Sequence, residues 1–277
     1  MTDEAKKITP TISPDIYDEQ YFCEVMPGKE NYLKSHGREI SNLYKIVLDL
    51  AGILPDMTVL DFGCGRGELV YQSVLKGAKT IGIDYSDAAI KLSNELMARL
   101  PDNLKGSVKI IKLSAGRLLL NNDSIDRILL IDVIEHLTDD EMNILLSEFY
   151  RVLKSGGKLI IHTPNRLHFD IGWKYYTYYA ILLTRLLRLK NPKNVHRELR
   201  TDDEKKVHIN EQEPFYLKKT LMKSGFKQNK IILKNVYEGH QIIRKYLGNM
   251  IYNLYPISLC WPLKFYFNHS LFGVAVK

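Results

Sequence analysis

Residues Val59 to Gly67 (VLDFGCGRG) decide the fold of this chain. The run Thr58 to Phe62 (TVLDF) predicts a short buried strand, and residues 63–67 then place a glycine at every second position. Alternate glycines let the backbone turn sharply and approach a ligand without interference from Cβ atoms. The next apolar pattern, about Glu68 to Lys76, predicts a helix that ends at Gly77. The free N–H groups of that helix N-terminus favour a negatively charged ligand group.

The same alternation of strands and helices continues along the chain. A helix is predicted over residues 38–51, a second begins after the N-cap Ser86, and a third begins at the capping box formed by Thr138 and Glu141. Four more apolar runs are predicted as strands: Lys79 to Asp84, Ser107 to Leu113, Arg127 to Asp132 and Lys158 to Thr163. Five strands alternating with helices predict a doubly wound α/β sheet, in which ligands bind beyond the carboxyl ends of the strands.

Length and composition exclude several classes of protein. With 277 residues, 45% hydrophobic and 26% charged, the chain is long enough for one large α/β domain or two small ones and is neither disordered nor fibrous. Its three cysteines (Cys23, Cys64 and Cys260) contain no C-x-x-C pair, which argues against a disulfide framework or a cysteine-rich zinc site. The first 14 residues show no signal peptide, so a cytoplasmic protein is expected.

Charge is distributed unevenly between the two halves of the chain. Residues 1–150 carry 16 Lys and Arg against 24 Asp and Glu, whereas residues 151–277 carry 23 against 8. The basic half is the part expected to face an anionic partner, which is a phosphate-bearing substrate, a membrane surface or nucleic acid. Solubilising lysines on exposed faces explain the same count at least as well.

The glycine turn has a carboxylate partner on the next predicted strand. Asp84 ends that strand 17 residues after Gly67, where a carboxylate can bind both hydroxyls of a ribose. The dinucleotide fingerprint G-x-G-x-x-G fails, because Glu68 occupies the position where that pattern has its last glycine. Hydride-transfer enzymes are therefore disfavoured.

At this point the sequence resembles the class I S-adenosylmethionine-dependent methyltransferases. The resemblance rests on VLDFGCGRG, IGIDYS, SIDRILLIDVIEHL, VLKSGGKLIIHTPN and LMKSGF, between about Val59 and Thr163 and again from Pro214 onward. It implies a seven-stranded Rossmann-like sheet, mostly parallel with an antiparallel last strand, for which Leu271 to Val276 is the candidate after a strand at Phe226 to Val236. It also implies S-adenosyl-L-methionine as the cofactor.

The resemblance assigns roles to residues of the predicted cleft. It places the turn glycines against the methionyl part of the cofactor, Asp61 in support of the turn, and Asp84 on the ribose. The family commonly has an acidic residue for the adenine after the third strand, whereas this chain has Ser114 and Ala115, which implies a weaker hydrogen bond. The expected cofactor contacts are Asp61, Gly63, Cys64, Gly65, Gly67, Asp84, Tyr85, Ser114, Ala115 and Asp132.

His136 is the first candidate for a catalytic base, because it follows the fourth strand and is expected to overhang the methyl donor. A structural role, as a helix cap or under a loop, is about equally compatible with the pattern. Asp132, Glu135 and His136 carry metal-ligand side chains in the order D-x-x-E-H, and His208 is a further candidate ligand. One short cluster is weak evidence for a metal site, so no resident metal is expected.

The chain after the fifth strand is expected to bind the acceptor. His162 and Asn165 end that strand, and Trp173 and Tyr176 lie in an aromatic stretch just beyond it. Tyr175 to Leu189 has the pattern of an amphipathic helix, which fits a lid, a membrane-interface helix or simple packing against the sheet. The predicted organisation is an N-terminal cap segment (1–36), a cofactor-binding core (37–165), a lid insertion (166–206), and the C-terminal part of the core (207–277) with an aromatic excursion at 246–267.

Together these features predict an enzyme that transfers a methyl group to oxygen, ahead of nitrogen or carbon, of a small, partly apolar acceptor. An anionic or lipid-linked part of the acceptor is compatible with this prediction, and so is a peripheral contact of the protein with the membrane. The closest local likeness is to quinone-pathway and sugar O-methyltransferases. Two alternatives remain: an RNA-modifying methyltransferase, ranked lower because no appended nucleic-acid module is recognisable, and a membrane-surface interaction protein that retains a cofactor fold. The oligomeric state is not predicted.

Overall fold

The computed structural model describes residues 10–26, 28–113, 117–172, 174, 178, 206–234, 236 and 262–277. The strands are β1 Thr58–Phe62, β2 Lys79–Asp84, β3 Val108–Lys112, β4 Ile125–Ile131, β5 Leu153–Pro164, β6 Gln228–Lys234 and β7 Ser270–Val276. The helices are α1 Lys29–Ser35, α2 Asn42–Ala51, α3 Glu68–Leu75, α4 Asp87–Met97, α5 Asp102–Lys105, α6 Asp139–Val152, α7 Pro214–Lys223 and α8 Lys264–Phe267. Single helical turns span Pro14–Ile16, Tyr21–Val25, Ile134–His136 and His168–Gly172.

The strands form one seven-stranded sheet in the order β3-β2-β1-β4-β5-β7-β6. The first five strands in this order are parallel, and β7 runs antiparallel to both β5 and β6. The predicted doubly wound Rossmann-like sheet with an antiparallel last strand is therefore confirmed. Parallel strands place their carboxyl ends at one edge, and this edge carries the glycine turn after β1, Asp84 of β2 and the turn Ile134–His136 after β4.

Helices cover both faces of the sheet, as a parallel sheet requires. On one face, α6 buries Leu145, Leu146 and Phe149 against β4 and β5. On the other face, α2 buries Val47 and Leu48 against the opposite side of the same strands. Within the described ranges, no helix is long and apolar enough to cross a membrane.

Local signals set most of the helix boundaries. The hydroxyl of Ser86 accepts the N–H of Ala89, and Thr138 and Glu141 form the predicted capping box. The predicted strand boundaries shift by one or two residues at β4 and β6, and the helix predicted over 38–51 begins at Asn42. The largest difference is that α6 ends at Val152 and β5 begins at Leu153 rather than at Lys158. Leu153 pairs with Ile125 of β4 and is fully buried. An apolar residue at this position fits the buried stripe of a helix as well as a buried strand, so the sequence pattern does not distinguish the two.

Several predictions concern residues outside the described part of the chain. These residues are Ser114, Ala115, Trp173 and Tyr176, together with all but Tyr178 of the amphipathic helix predicted at Tyr175 to Leu189. Most of the aromatic excursion at 246–267 is also outside it. The predicted domain boundaries stay predictions.

Candidate functional site

The glycine turn lies at the floor of a cleft above the carboxyl ends of β1 and β2. Gly63, Gly65 and Gly67 have φ angles of 76°, 51° and 83°, the left-handed region that glycine adopts most easily. The N–H groups of Gly63 and Cys64 both donate to the carbonyl of Ile83, at 2.8 and 2.9 Å, and so fasten the turn to β2. A Cβ atom on Gly63 would lie 2.3 Å from Val133 Cγ2, so this position has no room for a side chain.

Asp84 is held by the backbone that surrounds it. Its Oδ2 accepts the N–H of Gly65 at 2.9 Å, and its Oδ1 accepts the N–H of Ser86 at 3.0 Å. Burial raises the pKa of Asp84, and these N–H donors lower it again in part. Each carboxylate oxygen has a second lone pair, so Asp84 can still accept hydrogen bonds from two ligand hydroxyls.

A buried ion pair lies at the start of α3, directly after the turn. Arg66 is fully buried, and its Nε lies 2.9 Å from Glu68 Oε2. Its Nη1 donates to the carbonyl of Phe22 at 2.8 Å, and its guanidinium lies 4.6 Å from the ring centroid of Tyr32. Burial raises the pKa of Glu68 to about 7 although Arg66 opposes this shift. Arg66 thereby joins the N-terminal segment to the glycine turn.

Asp61 is buried at the end of β1. Burial raises its pKa to about 8, and the negative charges of Asp84 and Glu68 act in the same direction. Asp61, Cys64 and Gly67 are absent from the described lining of the cleft. We infer that these three residues support the glycine turn from the side that faces away from the cleft.

The N-terminal segment forms the opposite wall of the cleft. The residues of this segment that line the cleft include Tyr17, Tyr21, Phe22 and Met26. The Ser86 hydroxyl donates to the carbonyl of Tyr17 at 2.6 Å, which fixes this wall over the end of β2. The cleft has a volume of about 910 Å³, its open mouth included.

Six residues predicted as site residues line this cleft: Gly63, Gly65, Asp84, Tyr85, Asp132 and His136. Its described lining holds the carboxylates of Asp84, Asp132 and Glu141, and no Lys or Arg occurs among these described residues. A cleft with carboxylates and tyrosine faces attracts a cation more readily than an anion.

Asp132 and His162 form a close pair where β4 and β5 end. The Nδ1 of His162 lies 2.5 Å from Asp132 Oδ1, and the N–H of Asp132 donates to the carbonyl of His162. Asp132 has a φ of 54°, unusual for a non-glycine residue, and faces the cleft. His162 is only 2% exposed and packs against the ring of Phe272, so it supports Asp132 from behind.

His136 lies in the turn Ile134–His136 and faces the cleft. Its Nδ1 is 3.0 Å from the carbonyl of Val207, and a carbonyl only accepts, so Nδ1 carries the proton and Nε2 the lone pair. Burial, together with the nearby His208, lowers the pKa of His136 to about 4.

Glu135 and His208 adjoin His136. Glu135 is 1% exposed and accepts the hydroxyl of Thr163 at 3.0 Å. Burial raises the pKa of Glu135 to about 8, with Asp132 adding to the shift. The rings of His136 and His208 are 5.0 Å apart, and potential ligand atoms of Glu135, His136 and His208 all lie within 4.8 Å of one another. Asp132, predicted as a fourth candidate ligand, is not part of this group.

Residues 60–161 match the family model described as a methyltransferase domain. Residues 60–161 therefore form a class I S-adenosylmethionine-dependent methyltransferase domain. A solved structure of an S-adenosylmethionine-dependent methyltransferase from Mesorhizobium loti has a similar fold, with a TM-score of 0.57 and 15% identity over 86% of this chain and 98% of that one.

Three curated relatives share part of this methyltransferase domain. A probable S-adenosylmethionine-dependent methyltransferase of Mycolicibacterium smegmatis is 34% identical over 41% of this chain and 40% of its own length. The tRNA N(3)-methylcytidine methyltransferase of Schizosaccharomyces pombe is 28% identical over 59% and 56%. The ubiquinone biosynthesis O-methyltransferase of Nitrosomonas europaea is 29% identical over 53% and 58%. The matches thus span about two fifths to three fifths of these relatives.

Two residues expected to bind the acceptor lie behind the walls of the methyltransferase cleft. His162 is engaged by Asp132, and Asn165 is fully buried with its Nδ2 donating to the carbonyls of Phe265 and Asn268. Neither residue is in the described lining of the cleft. Their contact with the acceptor therefore stays a prediction, and their positions do not support it.

Sequence reasoning missed three features of the methyltransferase site. These are the ion pair between Arg66 and Glu68, the N-terminal wall with Tyr17 and Phe22, and the contact between His136 and Val207. The charged residues on either side of Gly67 were the one local signal for the first feature. The other two depend on long-range contacts with no local pattern.

Proposed function

We propose that this chain transfers a methyl group from S-adenosyl-L-methionine to an oxygen atom of a small, partly apolar acceptor. The observation that carries the proposal is the single cleft that holds the glycine turn and Asp84 together with Asp132 and His136. One part of the cleft matches the needs of the donor, and the other offers polar groups for an acceptor. The matches span only about two fifths to three fifths of the relatives, so their activities do not carry over to this chain and the activity is proposed from the site.

The described residues fit the donor. Gly63 and Gly65 of the turn face the cleft without side chains, and Asp84 offers lone pairs to ribose hydroxyls. When bound, the donor supplies a methyl group on a positively charged sulfur. The carboxylates and tyrosine faces of the lining favour that positive charge.

In such a transfer the acceptor oxygen would bond to the methyl carbon, the electron pair of the carbon–sulfur bond would stay on sulfur as a neutral thioether, and the hydroxyl proton would pass to His136 or to water. Most of the acceleration of such a displacement comes from alignment of the reactants and exclusion of water. The N-terminal wall with Tyr17, Tyr21 and Phe22 supplies that exclusion. We propose that His136 contacts the acceptor hydroxyl; its role as a general base stays a prediction.

Two observations support a small acceptor. The described lining is mostly apolar and aromatic, as in many small-molecule pockets, and contains no Lys or Arg for a phosphate. In addition, one relative is named as a ubiquinone biosynthesis O-methyltransferase. An anionic or lipid-linked part of the acceptor would then have to lie beyond this described lining.

RNA is the second candidate acceptor. One relative is named as a tRNA methyltransferase, and residues 151–277 carry 23 Lys and Arg against 8 Asp and Glu. Phosphate binding would give a steep decrease in affinity with salt, which a small neutral acceptor would not show. No described feature favours the alternative of a membrane-surface protein without turnover.

The test is an incubation of the purified protein with isotope-labelled donor and two fractions of a cell extract, one of small molecules and one of RNA. We expect a product in the small-molecule fraction in which one labelled methyl group has replaced a hydrogen, detected by mass spectrometry. The Asp84→Ala variant is the control and should form far less product. Label found only in RNA would replace the proposal with the second candidate, and label in neither fraction would reject both.

A further inference from the structure

We propose that one face of the molecule, beside the mouth of the cleft, docks on the surface of an anionic phospholipid bilayer. This surface, called the α7–α8 face, consists of surface residues of α7 and of the start of α8: Phe215, Lys218, Lys219, Met222, Lys223, Leu263 and Lys264. Docking is independent of the reaction. The class of acceptor that docking implies, a molecule held in the bilayer, rests on the proposed function.

The outward side of α7 differs from that of a helix that faces only water. Leu217 is fully buried against the sheet, whereas Phe215 is 64% and Met222 is 54% exposed. Lys218 and Lys219 lie between these two residues, at the spacing that places side chains on one side of a helix. A helix in water carries polar residues on its outward side, whereas large apolar residues beside lysines are typical of a helix at a membrane interface.

α8 continues this surface. The ring centroids of Phe215 and Phe265 are 5.0 Å apart, so the two helices are in contact there. Leu263, just before α8, is 38% exposed, and the Nζ of Lys264 lies 5.5 Å from the ring centroid of Phe265. Exposed apolar residues are common one at a time, but a contiguous group of them marks a site of interaction.

The charges of the α7–α8 face favour an anionic partner. Its ionisable side chains are all lysines, and residues 151–277 as a whole carry 23 Lys and Arg against 8 Asp and Glu. Two adjoining carboxylates, of Asp170 and Glu213, lie 3.2 and 3.7 Å from the guanidinium of Arg166 and so have a cation of their own. Each lysine near an anionic bilayer strengthens binding by about fivefold. Four lysines on one face therefore provide substantial affinity.

The apolar residues favour a bilayer over RNA. Proteins that bind single-stranded RNA stack its bases on aromatic rings and on the guanidinium groups of arginines. The α7–α8 face instead exposes the aliphatic side chains of Met222 and Leu263, which do not stack on bases, and it contains no arginine. Such side chains gain free energy when they enter the boundary between headgroups and acyl chains.

The α7–α8 face adjoins the mouth of the cleft. The loop that leads into α7 contacts the cleft wall, because the carbonyl of Val207 lies 3.0 Å from Nδ1 of His136 and the N–H of Asn210 donates to the carbonyl of Glu135 at 2.9 Å. Ile209, in the same loop, is also exposed. α8 lies at this edge of the sheet as well, because β7 begins at the carboxyl end of β5.

Docking through the α7–α8 face would bring the mouth of the cleft close to the lipid headgroups. The described lining of the cleft is mostly apolar and contains no Lys or Arg. An anionic headgroup would therefore contact the lysines outside the cleft, while the apolar cleft takes the part of the acceptor that is methylated. We expect an acceptor that resides in the bilayer and has a hydroxyl near the bilayer surface.

The experiment measures sedimentation of the full-length protein with vesicles of equal parts phosphatidylglycerol and phosphatidylcholine, and with vesicles of phosphatidylcholine alone. We expect binding to the anionic vesicles only, weakened by salt. The double variant Lys218→Gln with Lys219→Gln should bind at least about tenfold more weakly, and Phe215→Ser should also bind more weakly. The matched control is Lys76→Gln with Lys79→Gln, which removes the same charge where β2 begins, at the opposite edge of the sheet, and should bind like the wild type.

Urea unfolding and calorimetric titration with S-adenosylmethionine show whether each variant keeps the fold and the donor site. No binding of the wild-type protein to anionic vesicles, or equal binding by the wild type and both folded variants of the α7–α8 face, would overturn the proposal. Binding to a single-stranded oligoribonucleotide that the lysine variant loses, without binding to vesicles, would replace the bilayer with RNA and also overturn it.

The acceptor class is tested with labelled donor and anionic vesicles that contain a total lipid extract of cells. We expect label in a lipid, and less of it with the lysine variant. Label only in water-soluble compounds would overturn the acceptor class and leave the proposed function in place. Vesicle binding without any labelled product would instead support the docking face and reject the proposed function.

Discussion

Replacement of Gly63 by alanine tests how closely the glycine turn packs against the cleft. Gly63 and Gly156 share a φ of 76°, but a Cβ atom at Gly63 would lie 2.3 Å from Val133 Cγ2, whereas nothing lies within 4 Å of one at Gly156. The left-handed backbone alone costs an alanine about 1–2 kcal/mol. Overpacking adds about 1–3 kcal/mol at Gly63. We therefore expect Gly63→Ala to cost about 2–5 kcal/mol and Gly156→Ala about 1–2 kcal/mol.

Urea unfolding of the two variants measures this difference directly. A double-mutant cycle with Val133→Ala isolates the steric part, because that change removes the Cγ2 atom that the added methyl group would meet. We expect a favourable coupling energy of about 1–3 kcal/mol between the two changes. Gly63→Ala should also bind the methyl donor more weakly. The reasoning is refuted if both glycine variants lose the same stability, or if the cycle shows no coupling.

Three further changes test other parts of the site. Arg66→Met leaves Glu68 buried without its partner and should cost about 3–5 kcal/mol, measured by urea unfolding. Lys91→Met, at a half-exposed ion pair, should cost far less, and equal costs would contradict the buried-pair argument. Burial raises the pKa of Asp61 to about 8, so the folded state binds the proton of this carboxyl more tightly than the unfolded state does. The free energy of unfolding should therefore decrease as the pH rises from about 4 through 8, by at most about 1.4 kcal/mol per pH unit. Between pH 5 and pH 8 the free energy of unfolding should decrease less in Asp61→Asn than in the wild type. The same decrease in both proteins would contradict the raised pKa of Asp61. His136→Ala should lower turnover by about a hundredfold or more with the donor affinity unchanged, and unchanged turnover would remove His136 from the mechanism.

Features that depend on neighbouring residues could be predicted from the sequence. The glycine turn after β1, the N-cap Ser86, and the capping box of Thr138 and Glu141 all act within a few residues. The doubly wound parallel sheet followed from the alternation of strands with helices, since crossovers in parallel sheets have one hand. Asp84 was also identified, because a fixed spacing along β2 brings it to the turn.

Features that depend on long-range contacts could not be predicted in this way. Burial of Arg66 requires the carbonyl of Phe22, and the orientation of His136 requires Val207, which is 71 residues away. His162 was expected to reach the acceptor because it ends β5. The register of β5 with β4 and β7 instead places it between Asp132 and Phe272, and no local pattern records that register.

The central claim is that the turn at Gly63 to Gly67 and Asp84 bind the adenosyl part of a methyl donor. Calorimetric titration of the purified protein with S-adenosylmethionine and with S-adenosylhomocysteine tests it directly. We expect one saturable site, weakened at least about tenfold in Asp84→Ala, which loses its hydrogen bonds to the sugar, and unchanged in Asp87→Ala, which alters an exposed carboxylate nearby. Absence of binding by both ligands, or equal affinity in Asp84→Ala and the wild type, would contradict the account.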